Sequence, residues 1–441
     1  MGADRTALTD IDEGKLFNKV MWRVLPLVLG SYFLAYLDRV NIGFAQLQMN
    51  SDLGFSAAIY GFGAGIFFLG YFIFEVPSNL MLEKIGARKT LFRIMFGWGL
   101  VAAATAFVTT PNQFYIARFF LGAFEAGLFP GVVFYLSLWL PAKRRAEAVA
   151  FFMIGSIISG VAGGPLSGWL MTAFDGVNGW RGWQWMLIVE GVPSTLYGIM
   201  LLFVLADRPS DAKWLTAKEG AYIADLLAVE DRAVKASSRA HTFSKLFADP
   251  KLYLLSAASF MTLCSVYAIM FWMPLMIRAA GVDNVFHIGL YVMIPHVVTI
   301  ATMFVVGRHS DRTLERRWHF AIMVLIGASG LMLCTVIPNN LALSLIGLAV
   351  AESALMCVLP IFWAIARAAL PSGSAAGGLA VINSIANLGG FVAPSIIGYV
   401  QTTTGSVGYG LRAVAGITML AALVILIGIP KQAIATRLAK A

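Results

Sequence analysis

The sequence predicts an all-α membrane protein, with twelve transmembrane helices in two pseudo-symmetric six-helix bundles. Three observations carry that prediction. Of the 441 residues, 59% are hydrophobic and 12% charged, against ~25% charged in a soluble globular chain; the mean hydropathy is +0.79. The apolar runs are long, near the ~20 residues that cross ~30 Å of hydrocarbon, and most lack the polar face of a soluble helix. The two halves of the chain also repeat each other's punctuation. Pro130 and Pro360 are 230 residues apart, as are Pro141 and Pro371, and Pro165 and Pro394 are 229 apart.

The expected spans are 20–46, 57–82, 88–110, 112–140, 145–174, 184–206, 252–279, 287–309, 318–338, 340–369, 375–403 and 408–428. Before the first, Met1 to Phe17 is polar and mixed in charge, without a basic-then-apolar leader or a small-residue cleavage site, so the first span is expected to be retained. That span carries Tyr36, Asp38, Arg39 and Asn41 in its later half. The second carries Tyr71 and, one turn on, Glu75, just before Pro77. The fourth carries Arg118 and Glu125, seven residues apart, so both point the same way ~10 Å apart along the axis and cannot comfortably pair with each other. The fifth holds Gly160, Gly163, Gly164, Pro165 and Gly168, a small-residue run suited to close, sliding helix contact. Glu190 in the sixth is expected to form a structural bridge.

The long polar stretch from Asp207 to Lys251 divides the chain into an N-terminal six-helix bundle, 1–206, a cytoplasmic central loop, 207–250, and a C-terminal bundle, 251–441. In the second bundle, Tyr267, Trp272 and Trp363 offer an aromatic wall or ordinary packing. His296, after Pro295, reads as a neutral core histidine or a proton shuttle. Glu352 is expected near the outer end of the tenth span, in a structural role. Asn383 and Asn387 share one face of the eleventh helix, where cavity lining and interhelical hydrogen bonding fit equally. Cys264, Cys334 and Cys357 sit in apolar runs at no metal-ligand spacing and read as small core residues.

Charge excludes some functions and orients the chain. The net charge is +9, but Lys and Arg concentrate at helix ends and alternate loops, with no nucleic-acid-binding motif beside them. One side collects Lys15, Lys19 and Arg23; Lys84, Arg88 and Lys89; Lys143, Arg144 and Arg145; the central loop; Arg308, Arg312, Arg316 and Arg317; and the tail. The positive-inside rule makes that side, both termini and the central loop cytoplasmic. No nucleotide loop, metal spacing or nucleophile motif supports an enzyme, and the central loop is too short for a signalling domain.

Glu83-Lys84-x-Gly86-x-Arg88-Lys89, following the second helix, answers Asp311-Arg312-x-Leu314-x-Arg316-Arg317, 228 residues on. Duplicated halves around a midplane site are a transporter architecture. The pattern G-x-x-x-[DE]-[RK]-x-G-x-[RK]-[RK] marks the major facilitator superfamily; Asn79 replaces its first Gly here, and Leu314 departs in the second copy. The stretches YLDRVNIGFA (36–45), GYFIFEVPSNLMLEKIGARK (70–89) and RFFLGAFEAGLFPG (118–131) resemble the anion:cation symporter branch, particularly bacterial phthalate- and tartrate-type permeases.

That resemblance implies a multi-pass inner-membrane importer of a small organic anion, a dicarboxylate such as phthalate or tartrate, acting as a monomer with the proton as coupling ion and no other cofactor. It implies that Arg39 and Arg118 hold substrate carboxylate and that Asp38 and Glu125 carry protons. The residues fit those roles: guanidinium is planar, permanently charged and bidentate toward carboxylate. Ionisable groups at mid-membrane cost ~2.5–3.5 kcal/mol on insertion scales, so they face a cavity or a partner. Static bridges holding helices together fit the same residues. Tyr36, Tyr71, Tyr267, Trp363, Asn383 and Asn387 are further candidates to contact substrate, and Glu75 and His296 to carry protons. Glu83, Arg88, Asp311 and Arg312 are expected to gate the cytoplasmic side. Aromatic monocarboxylates, sugar acids or a drug exchanged for protons are the competing cargoes.

Overall fold

The computed structural model describes residues 11–237, 246–313, 315–336, 339–370 and 375–430. Among them, twelve helices or broken helices are long and apolar enough to cross a membrane. Their order is α1 (Glu13–Leu53), α2 (Ala57–Ile85), α3 (Ala87–Ala104), α4 (Pro111–Glu125), α5 (Leu128–Ser137), α6 (Ala142–Ala173) and α7 (Gly182–Val204). Next comes α8 (Ala217–Ser237), then α9 (Pro250–Ala279), α10 (Val285–Thr313), α11 (Arg317–Val336), α12 (Leu341–Ala369), α13 (Ala375–Asn387), α14 (Gly389–Thr404) and α15 (Val407–Gly428). Local chemistry sets their ends. Asp12 accepts the Lys15 backbone N–H at 3.0 Å. Thr110 and Gln113 close a capping box over α4, with Pro111 as its first residue. Large apolar side chains such as Phe203, Val305 and Ile427 point outward, as lipid-facing positions do.

Two expected spans are interrupted. The span expected over 112–140 ends its first helix at Glu125 and resumes at Leu128, around Gly127 with φ of 90°. A side chain there would strain the backbone and meet the Ser78 hydroxyl, 2.5 Å away. The eleventh span breaks at Leu388, between α13 and α14. Apolar content marks where the chain crosses but carries no signal for a one-residue change of direction.

The stretch read as a polar central loop contains α8, which docks on the first six spans. Lys19 Nζ lies 2.9 Å from Glu219 Oε2, and Trp139 stacks on Trp214 with ring centroids 5.5 Å apart. Glu219 also accepts the Thr216 backbone N–H; that bond, helped by Lys19, holds its carboxyl below the usual range.

The two sets of six meet mainly away from the basic loops. Gln46 Nε2 donates to the Phe271 carbonyl at 2.7 Å and Arg278 Nη1 to the Leu47 carbonyl at 2.5 Å. The Ala58 backbone N–H donates to Thr402 Oγ1 at 2.8 Å. Between α6 and α10 the backbones nearly touch: a Cβ on Gly164 would lie 2.7 Å from the Gly289 carbonyl oxygen. The glycine run of the fifth span thus packs the two sets together, as its small residues predict.

Candidate functional site

Neighbouring residues on a helix are turned by about 100° from each other. Asp38 and Arg39 of α1 therefore face different partners, and the structure divides them that way. Arg39 faces α4. Its Nε lies 2.7 Å from Glu125 Oε1 and its Nη2 2.5 Å from the same oxygen. Both nitrogens converge on Oε1, while Oε2 is buried with no hydrogen-bond partner. The Arg39 side chain keeps 14% exposure and Glu125 1%, so the carboxylate is the deeper partner. The break at Gly127 follows directly after Glu125 and places it at the end of a helix rather than within one.

Aromatic rings enclose the guanidinium. Arg39 Cζ lies 5.2 Å from the Tyr36 ring centroid, 5.5 Å from Phe67 and 5.6 Å from Tyr71, distances at which a cation interacts with a ring face. Phe67 also meets Arg118, whose Cζ is 5.1 Å from the same ring. Phe67 therefore links the two arginines, a role invisible in an apolar run of α2.

Arg118 is 2% exposed. Its Nε and Nη2 donate to the backbone carbonyls of Gly63 and Ala64, each at 3.4 Å. As expected, Arg118 and Glu125 make no direct bridge in the ion pairs described. The pairing across helices is instead Arg39 with Glu125.

Asp38 faces the other way, toward α7. Its Oδ1 accepts Asn41 Nδ2 at 2.9 Å, and Ser194 Oγ lies 3.5 Å from Oδ2. The bridge expected for Glu190 is corrected here: Ser167 Oγ donates to Glu190 Oε1 at 2.8 Å, and no cationic partner is recorded for Glu190 among the described residues. Asn41, Ser167 and Ser194 were not singled out as partners in the sequence; their signal is polar side chains facing inward on otherwise apolar helices.

The last six spans contribute neutral and aromatic groups. Tyr267 packs its ring 4.3 Å from Phe68 and donates its hydroxyl to Asn387 Oδ1 at 2.9 Å, so Asn387 makes an interhelical bond. Asn383, one turn earlier on α13, is half-buried. Ser384 Oγ donates to Glu75 Oε2 at 3.1 Å, joining α13 to α2. Trp363, partly buried, packs edge-on against Phe362 at the margin of the core of the second set. His296 Nδ1 pairs with Glu352 Oε1. Glu352 is accordingly corrected from the outer end to the interior of α12, buried, with its Oε2 unpartnered.

The residues expected to gate the cytoplasmic side lie near helix ends. Arg88 turns to Asp207 at the start of the central stretch, its backbone N–H donating at 2.8 Å and its Nε lying 3.9 Å from Oδ2. Glu83 and Arg312 are exposed on helix ends, and the Asp311 side chain lies outside the described residues. The three cysteines are buried and free.

Known proteins match this architecture. The sequence profile of the Major Facilitator Superfamily covers residues 28–394. The chain is 44% identical to a Pseudomonas putida protein named for metabolite transport, NicT, over 96% of each chain. It is 42% identical to an Agrobacterium vitis protein named for tartrate transport, over 94% of this chain and 91% of that one. Among solved structures, a bacterial homologue of the human lysosomal transporter Spinster, inward-facing and unoccupied, superposes with a TM-score of 0.72 at 17% identity, covering 95% of this chain and 97% of that one.

Proposed function

The chain belongs to the Major Facilitator Superfamily of transporters, and from that premise we propose that it imports a small organic anion with protons, by alternating access. The observation that carries this reading is the Arg39–Glu125 pair. A guanidinium ringed by aromatics and held by one internal carboxylate is a site where an incoming carboxylate and an internal one compete. Protonating Glu125 releases Arg39; the anion takes its place; rings of Tyr36, Phe67, Tyr71 and Tyr267 cover the anion's body. Arg118 supplies a second positive charge behind Phe67, and Asp38 a second acid. When the halves rock, the proton leaves Glu125, which recaptures Arg39 and expels the anion. No other coupling ion or cofactor is required.

One relative supports an organic anion by its link to tartrate; another is named for metabolite transport. Dicarboxylates of the phthalate or tartrate kind lead, with aromatic monocarboxylates and sugar acids next. The electrical cost limits the mechanism: one charge moved across 100 mV costs ~2.3 kcal/mol, so a dianion entering a negative interior needs two protons to avoid opposing the field. The bacterial relatives support the inner membrane, and the loop charges support cytoplasmic termini; one chain is the working unit of the proposed cycle.

Counterflow in proteoliposomes tests the substrate class. Unlabelled small carboxylates should suppress exchange of a labelled carboxylate at least tenfold better than neutral sugars. Equal suppression would assign another cargo, and proton-driven extrusion would assign export.

A further inference from the structure

Besides the Arg39–Glu125 bridge, the first six spans bury two further acids. Asp38 and Glu190 are each 2% exposed. They are joined through neutral donors. Asn41 donates to Asp38 Oδ1 at 2.9 Å and its amide also reaches Glu190. Ser194, one turn after Glu190 on α7, lies 3.5 Å from both Asp38 Oδ2 and the Glu190 carbonyl. Ser167 of α6 donates to Glu190 Oε1, while Glu190 Oε2 is buried and bonds to nothing. From α4, Arg118 and Glu125 act on Asp38 with opposite charges. No Lys, Arg or His bridges either acid in the ion pairs described.

We propose that Asp38 and Glu190 hold one proton in common, forming a second proton site separate from Glu125; this deepens the proton-coupled reading above and rests on it. Neighbouring buried carboxylates without a bridging cation do not both ionise, because each charge adds repulsion to a desolvation cost that neutral hydrogen-bond donors repay only in part. A shared proton removes one charge, and the orphaned Oε2 of Glu190 is a place for it. A metal ion is disfavoured by the same contacts: Asn41 and the serines present hydrogens to the carboxylates, whereas a hard cation needs oxygen acceptors. Among the described residues no group of three His, Cys, Asp or Glu side chains could hold one.

The pair is also placed to respond to movement. Ser167 lies between Gly164 and Gly168, whose backbones pack against Gly289 and Val285 of α10. Parting α6 from α10 shifts the partner of Glu190 and opens a route for water to the pair. One proton on Glu125 and one on this pair give the two that a dianion needs.

The titration of the pair belongs to both acids together and is read by infrared carboxyl absorption of purified full-length protein. A Glu125→Gln background silences the first proton site, so the test stands whether or not Glu125 couples transport. One buried protonated carboxyl is expected there, and Asp38→Asn, which leaves Glu190 without the neighbouring charge, should move its titration lower. Glu190→Gln removes the neighbouring charge, so the remaining acid should bind its proton about tenfold more weakly, moving the titration about one pH unit lower. Glu190→Asp should move it the same way by less, and carries the test if the Gln protein does not fold. An unchanged titration in the folded Gln variant would make Glu190 a permanently neutral acid and overturn the proposal. So would a titration that shifts when sodium replaces choline, because the pair would then hold a cation.

Discussion

Arg39→Ala is expected to abolish anion binding and uptake, by at least a hundredfold, and to lower the melting temperature of the protein. Two separate losses combine. The anion loses its charged anchor, and contacts between a guanidinium and a carboxylate are the strongest class of hydrogen bond in proteins. Glu125, 1% exposed, loses the only hydrogen-bond donor recorded for it among the described residues. Removing one member of a buried ion pair costs on the order of 3–5 kcal/mol, because the other charge is left uncompensated. The losses are separable. Adding Glu125→Gln to Arg39→Ala removes the orphaned charge, so the double variant should regain melting temperature while staying inactive. Arg39→Lys should fold and bind weakly, since an ammonium is a point charge without the planar fork. Uptake into proteoliposomes and thermal melting check both halves of the prediction.

Glu125→Gln should separate transport from its driving force. Gln has the shape of the protonated acid but cannot release a proton. The variant is expected to bind the anion and exchange it across the membrane in counterflow, yet to lose gradient-driven accumulation by tenfold or more. Its Arg39 is held by a neutral amide rather than a carboxylate, so the anion meets less competition. Wild-type accumulation in this variant would move proton coupling to another acid.

Much of this was legible in the sequence, at the level of residues more than of contacts. All twelve spans were placed within a few residues at most ends, because lipid selects on length and hydropathy alone. The largest departures are at the two ends of the first, which runs from Glu13 to Leu53 rather than over 20–46: its first and last two turns are rich in polar residues and stand outside the apolar window. The breaks after Glu125 and Asn387 were not legible, since hydropathy is indifferent to a turn at Gly127 or Leu388. Asp38, Arg39, Arg118 and Glu125 stood out because ionised groups are costly in lipid. Which of them touch was not legible, because the distance between α1 and α4 is set by packing and not by spacing. Glu190 was expected to have a cationic partner for the same energetic reason, and its neutral neighbours, Ser167 and Asn41, carry no charge signal in sequence. Arg88 was read with its own motif, whereas its partner Asp207 lies over a hundred residues away, beyond any local pattern. Phe67, between two guanidinium groups, looks like any other apolar residue until its neighbours are placed.

The most direct test is the affinity for a bound carboxylate as a function of pH, in the wild type and in Glu125→Gln. If the anion and Glu125 compete for Arg39, each unit of falling pH should tighten wild-type binding up to tenfold across the titration of Glu125, because one proton must bind to free the guanidinium. The Gln variant should then bind tightly at every pH. Equal pH dependence in the two proteins would contradict the competition and remove Glu125 from control of the site.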